Sequence, residues 1–82
     1  MGETSAGTAV AAAEERIRTG ARFVRCDLGS VLDADLELVD RLARLRLDAR
    51  RHRCRLEIRT ADAELVRLLE LAGLDGVVLY ER

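Results

Sequence analysis

Three groups of residues in this 82-residue chain are of types that could do chemistry. The first is acidic: Asp33, Asp35, Glu37 and Asp40 follow the dipeptide Gly29-Ser30. Carboxylates this close could hold Mg²⁺ through oxygen. At the start of a helix, however, they answer the positive end of the helix dipole, and that is the better reading. The second group is basic, Arg50-Arg51-His52-Arg53 with Arg55. It could touch phosphate, but it spans a helix C-terminus, where cations complement the dipole, and no aromatic side chain is interleaved for stacking. A solvated helix end is the preferred reading. The third group is Cys26 and Cys54. A metal pair would need further ligands, and His52, the sole histidine, lies across a turn from them. A disulfide needs Cα atoms within about 7 Å and an oxidising compartment, so both are read as small buried apolar residues. Gly29-Ser30 is too short for a phosphate loop, with no GxGxxG and no P-loop lysine beside it. His52 has no Ser or Cys placed for nucleophile activation. No enzyme activity, cofactor or metal is expected.

The elements that position these residues follow from two periodicities. On a helical wheel, residues 36–50 place Leu38, Val39, Leu42, Ala43, Leu45 and Ala49 on one apolar arc. Glu37, Asp40, Arg41, Arg44 and Asp48 fall opposite, with Glu37–Arg41 and Asp40–Arg44 at the favourable i,i+4 spacing. Arg46 and Arg50 sit at the edge of the arc, where the stem can cover apolar surface and the guanidinium reach water. Ser30 or Asp33 is a candidate cap for this helix. The period then drops to two. Cys54, Leu56 and Ile58 alternate with Arg53, Arg55, Glu57 and Arg59, the pattern of a half-buried strand.

The flanking segments repeat the theme. Residues 1–7 are small and polar, and disorder is expected there. From Thr8 to Gly20 the spacing of Val10, Ala13 and Ile17 predicts a helix, with Glu14 and Arg18 able to pair and Gly20 at its C′ position. Residues 21–28 form a strand in which Val24, Cys26 and Leu28 alternate with Phe23, Arg25 and Asp27. A third helix starts at Thr60 or Asp62, buries Leu65, Leu68, Leu69 and Ala72, and ends at Gly73-Leu74. Residues 77–80 make a short third strand.

Helix, strand, helix, strand, helix, strand is an α/β order whose helical crossovers connect parallel, sequentially adjacent strands. A sheet covered on both faces would be apolar throughout its strands. Strands one and two alternate instead, so the helices are expected on one face of a small, mainly parallel sheet, with the other face wet. The chain is one small domain over residues 8–82. Composition is 49% hydrophobic and 35% charged, and 14 basic against 15 acidic side chains give a net charge of −1. That balance argues against attraction to nucleic acid or anionic membrane, and one Phe, one Tyr and no Trp leave no stacking platform. No apolar run approaches the roughly 20 residues of a membrane span, and the N-terminus does not read as a secretory signal. The expected location is the cytoplasm.

The run CDLGSVLDAD, the central helix, the strand RCRLEI and the stretch TADAELVRLLELAGLDGVVL together resemble the STAS domain. That is the fold of bacterial anti-sigma factor antagonists, found also at the C-terminus of sulfate transporters. The family pattern is a strand ending in Asp-Leu, an Asp-Ser-Ser-Gly-like helix start, a long helix, a strand, and a last helix ending in Leu-x-x-x-Gly-Leu. Asp27-Leu28 matches the first element, and Leu69 through Gly73-Leu74 the last. The resemblance covers about residues 8–80 and implies a βα superhelix of three strands and three helices.

Two departures stand out. The complete family fold has two further strands before its first helix, and this chain begins at that helix. The edge of strand one would then lack its usual neighbour, and an open edge invites pairing with another chain; dimerisation, domain swapping and a missing upstream segment all fit. In family members that cycle with an anti-sigma kinase, a Ser at the start of the central helix is phosphorylated. Here the motif Asp falls on Asp35 and the two Ser positions on Leu36 and Glu37, neither of which can be phosphorylated. Glu37 could hold a fixed negative charge where the phosphate would sit, but a plain solvated helix residue is the better reading. Shifting the alignment by one residue places Asp33 or Asp35 there instead, again without a hydroxyl.

The resemblance therefore implies a cytoplasmic protein-binding module like an anti-sigma factor antagonist, with an anti-sigma factor or serine kinase as its partner. The expected contact surface is Gly29, Ser30, Asp33, Asp35, Glu37, Asp40, Arg41 and Arg44. The alternative is an assembly subunit that forms a homodimer, or joins a transport complex, through its strand-one edge.

Overall fold

The computed structural model describes residues 6–29, 36–74 and 76–80. Six elements follow one another: α1 (Ala6–Arg18), β1 (Phe23–Gly29), α2 (Leu36–Arg51), β2 (Arg55–Thr60), α3 (Ala63–Leu71) and β3 (Val78–Tyr80). The strands form one sheet in the order β1-β2-β3, with both pairs parallel. Phe23 faces Arg55, Arg25 faces Glu57 and Asp27 faces Arg59 in the first pair, and Ile58 faces Val78 in the second. Helical crossovers between adjacent parallel strands are the arrangement that the alternation of the two periods predicts.

The two-residue period decides which sheet face is covered. Val24, Cys26 and Leu28 of β1, and Leu56 and Ile58 of β2, are buried in one cluster with residues from all three helices. Val10, Ala13 and Ile17 come from α1; Leu38, Val39, Leu42, Leu45 and Ala49 from α2; Leu65 and Leu69 from α3. Phe23, Arg25, Asp27 and Arg55 are exposed on the other face, with Glu57 and Arg59 half-buried. Each fully buried leucine or isoleucine contributes about 1.5–3 kcal/mol by leaving water.

All three helices stop in the same way. In α3 the Leu74 amide bonds the Leu69 carbonyl at 2.9 Å and the Gly73 amide bonds Glu70 at 3.0 Å, closing a Schellman turn around Gly73 at φ 88°. In α1 the corresponding bonds are Ala21 to Arg16 and Gly20 to Ile17, around Gly20 at φ 99°. In α2 they are Cys54 to Ala49 and Arg53 to Arg50, but the left-handed residue is Arg53 at φ 56°.

Several boundaries and contacts differ from expectation. Helix α1 begins at Ala6, so Ala6 and Gly7 are helical, not part of a disordered tail. Ala72 is exposed and caps α3, because the turn brings Leu74 into the core in its place. Asp62 is the α3 cap, accepting from the amides of Glu64 and Leu65. Arg18 pairs with Glu15 at 2.8 Å instead of Glu14, because Glu14 lies 3.9 Å from Arg41 of α2.

Candidate functional site

The expected contact surface lies where β1 ends and α2 begins, at the carboxyl edge of the parallel sheet. In open α/β sheets that edge is where connecting loops gather and ligands are bound. Gly29 ends β1 at φ 61° and is exposed. Its amide donates to Asp27 Oδ1 at 3.1 Å. Its carbonyl accepts from the Ala61 amide at 2.9 Å and from the Thr60 hydroxyl at 3.0 Å. The Thr60 hydroxyl in turn accepts from the Asp62 amide at 3.1 Å. The end of β1 is thereby tied to the start of α3, and Thr60 is the buried polar residue of the core, 1% exposed.

At its start, α2 presents Leu36, 76% exposed, and then Glu37 and Asp40 on its solvent side. Asp40 holds Arg44 at 3.2 Å, as the i,i+4 spacing predicts. Arg41 does not pair with Glu37. It is half-buried and reaches Glu14 of α1, so it braces two helices together. Glu37 makes no ion pair among the described residues. Ser30, Asp33 and Asp35, including both candidate caps of α2, lie outside the described residues, and so do two members of the acidic cluster. Gly29 thus ends β1 in an exposed position, and α2 leaves Leu36, Glu37, Asp40 and Arg44 exposed, while Arg41 serves the α1–α2 contact.

The other groups separate. Cys26 faces Ile58 in the β1–β2 register, so Cys54, which precedes β2, lies four positions away along the strand, about 13 Å at the usual rise. Both thiols are free and buried. Burial, helped by the charge of neighbouring Asp27, pushes the Cys26 thiol up to about 11. His52 Nδ1 lies 2.9 Å from the Asp48 carbonyl, the contact of a helix-end residue. Among the described residues no three His, Cys, Asp or Glu side chains gather as a metal site would require. Of the basic run, Arg50 and Arg55 line, together with Arg46, an open cleft of about 390 Å³. Arg46 also donates to the Gly73 carbonyl, joining α2 to the end of α3.

Thr60 is the residue that sequence reasoning undervalued. It was legible only as a candidate start of the third helix, whereas its hydroxyl is the knot at the sheet edge. Its signal is a threonine closing an alternating strand two positions before a capping aspartate.

Among the described residues no helix is long and apolar enough to cross a membrane. No curated protein and no solved structure gives a match to the chain. The family model described as "Mlab, STAS domain" matches residues 5–80, from before α1 through β3. With the parallel three-stranded sheet and the Gly73-Leu74 ending both in place, the chain belongs to the STAS domain family.

Proposed function

We propose that this chain is a non-enzymatic regulatory module that binds another protein in the manner of an anti-sigma factor antagonist. The partner would be an anti-sigma factor or serine kinase, and the surface runs from Gly29 to Arg44. The observation that supports it is the exposed first turn of α2. Leu36 stands out from the surface beside Glu37 at the start of α2. An apolar side chain inside a charged rim is the composition of a small protein contact. Glu37, solvated and without an ion pair among the described residues, supplies a constant negative charge at the helix start where kinase-regulated relatives carry a phosphorylated serine. Binding would then be constitutive with respect to phosphorylation at that position.

A second reading has its own observation. Strand β1 has β2 as its one neighbour among the described residues, which suits an assembly subunit that joins other proteins through a strand edge. The matching family model, with its Mlab description, is compatible with either reading.

The test is a pull-down from native lysate with tagged protein, read by mass spectrometry. Recovery of a GHKL-type kinase or another anti-sigma factor, lost on Glu37→Lys, supports the regulator. Recovery of transport subunits, unaffected by Glu37→Lys, removes it in favour of assembly.

A further inference from the structure

The edge of β1 is complementary to itself. The Arg55 amide bonds the Arg22 carbonyl at 2.8 Å, so Arg22 points its backbone groups toward β2. Strand periodicity then turns the N–H and C=O groups of Phe23, Arg25 and Asp27 away from β2, to the open side. Any chain that adds here must bond to those three residues.

We propose that the occupant is a second copy of this chain, its β1 lying antiparallel to the first about a two-fold axis at Cys26. The proposal rests on the assembly reading of this edge and names its partner. Only registers that oppose the outward-facing residues to one another can form the hydrogen bonds. Centring on Arg25 sets it against Arg25 of the second copy, and centring on Asp27 sets two carboxylates together. Like charges directly opposite are destabilising. Centring on Cys26 puts Arg25 opposite Asp27 of the second copy, twice by symmetry, and leaves Gly29, beyond the register break that follows Asp27, outside the new ladder.

The neighbouring strand extends the pattern. Arg25 Nε already donates to Glu57 Oε1 at 2.8 Å, and Asp27 is in register with Arg59. A row across the joined sheets would therefore read Glu57, Arg25, Asp27, Arg59, alternating in sign at every step. On the covered face Val24 would oppose Leu28 of the second copy, apolar against apolar. An isologous contact of this kind closes on itself and leaves each β3 at an outer edge of a six-stranded sheet.

The test is light scattering of the 82-residue chain, alone and as two charge variants. The chain should run at twice its 9.1 kDa mass and dissociate on dilution. Arg25→Glu places two acids opposite each other, and Asp27→Arg places two arginines, so each variant alone should be monomeric. Mixed in equal amounts they should pair. The acid introduced in one variant then faces the arginine introduced in the other, and the native Asp27 of the first faces the native Arg25 of the second. Circular dichroism establishes that both variants are folded. A chain that stays at 9.1 kDa into the millimolar range overturns the proposal. So do single variants that dimerise as the parent does, or folded variants whose mixture stays monomeric. A different protein captured at this edge, sensitive to Asp27→Arg while the chain alone is monomeric, would keep the assembly reading and sink the dimer.

Discussion

The Thr60 hydroxyl donates to the Gly29 carbonyl across 3.0 Å while accepting from the Asp62 amide, so one buried side chain joins the ends of β1 and β2 to the start of α3. Replacing it with Val keeps the shape and leaves the Asp62 amide without this acceptor. The expected loss is about 1–3 kcal/mol, the cost of an unsatisfied group in the interior. Thr60→Ser, which keeps the oxygen, should lose less. Urea denaturation of the two variants checks the order. A larger loss for Thr60→Ser than for Thr60→Val would assign the role of Thr60 to its methyl group.

Arg53 occupies the left-handed C′ position that Gly20 and Gly73 occupy in the other two helices. A residue with a Cβ is strained there by about 1–2 kcal/mol, and glycine is not. Glycine also loses more backbone freedom on folding, so Arg53→Gly should stabilise the domain by a net of about 0.5–1 kcal/mol. The urea midpoint should rise with an unchanged slope. A fall would show that the exposed Arg53 side chain contributes more than the strain it costs.

Cys26 links pH to stability. Its folded pKa is raised from 9.0 to about 11, chiefly by burial, so between those values the unfolded chain has released the proton and the folded one retains it. With fewer protons bound in the unfolded state, stability falls as pH rises through this window. Cys26→Ala should flatten that slope. In the same range the Cys26 thiol should react with Ellman's reagent more slowly than a free thiol, because it is buried and protonated. A slope that survives Cys26→Ala would trace to other groups.

The α/β order, the buried faces of β1 and β2 and the stops at Gly20 and Gly73 were legible because each depends on local spacing. Val10, Ala13 and Ile17 share a helix face at any position in space, and Gly73-Leu74 ends a helix whatever lies beyond it. Ion pairs were legible less evenly. Asp40 and Arg44 pair as spaced, since both are on solvent and have no competitor. Glu14 and Arg41 do not follow their i,i+4 partners. Such pairs differ by only a few tenths of a kcal/mol, so a carboxylate brought close by another helix is enough to change the partner. Glu37, Asp40 and Arg44 were legible as solvent-facing from the helical wheel and are exposed, while Arg41, on the same arc, is half-buried.

By itself the amino-acid sequence determined the periodicities, the order of elements and the near-neutral charge, because each is a property of neighbouring residues. Only the tertiary structure decided that Thr60 is buried, that Arg41 reaches α1 instead of serving the α2 surface, and that Arg25 stands in register with Glu57 and Asp27 with Arg59. Those outcomes depend on which distant segments pack together, and packing is set by burying one apolar face of every element at once.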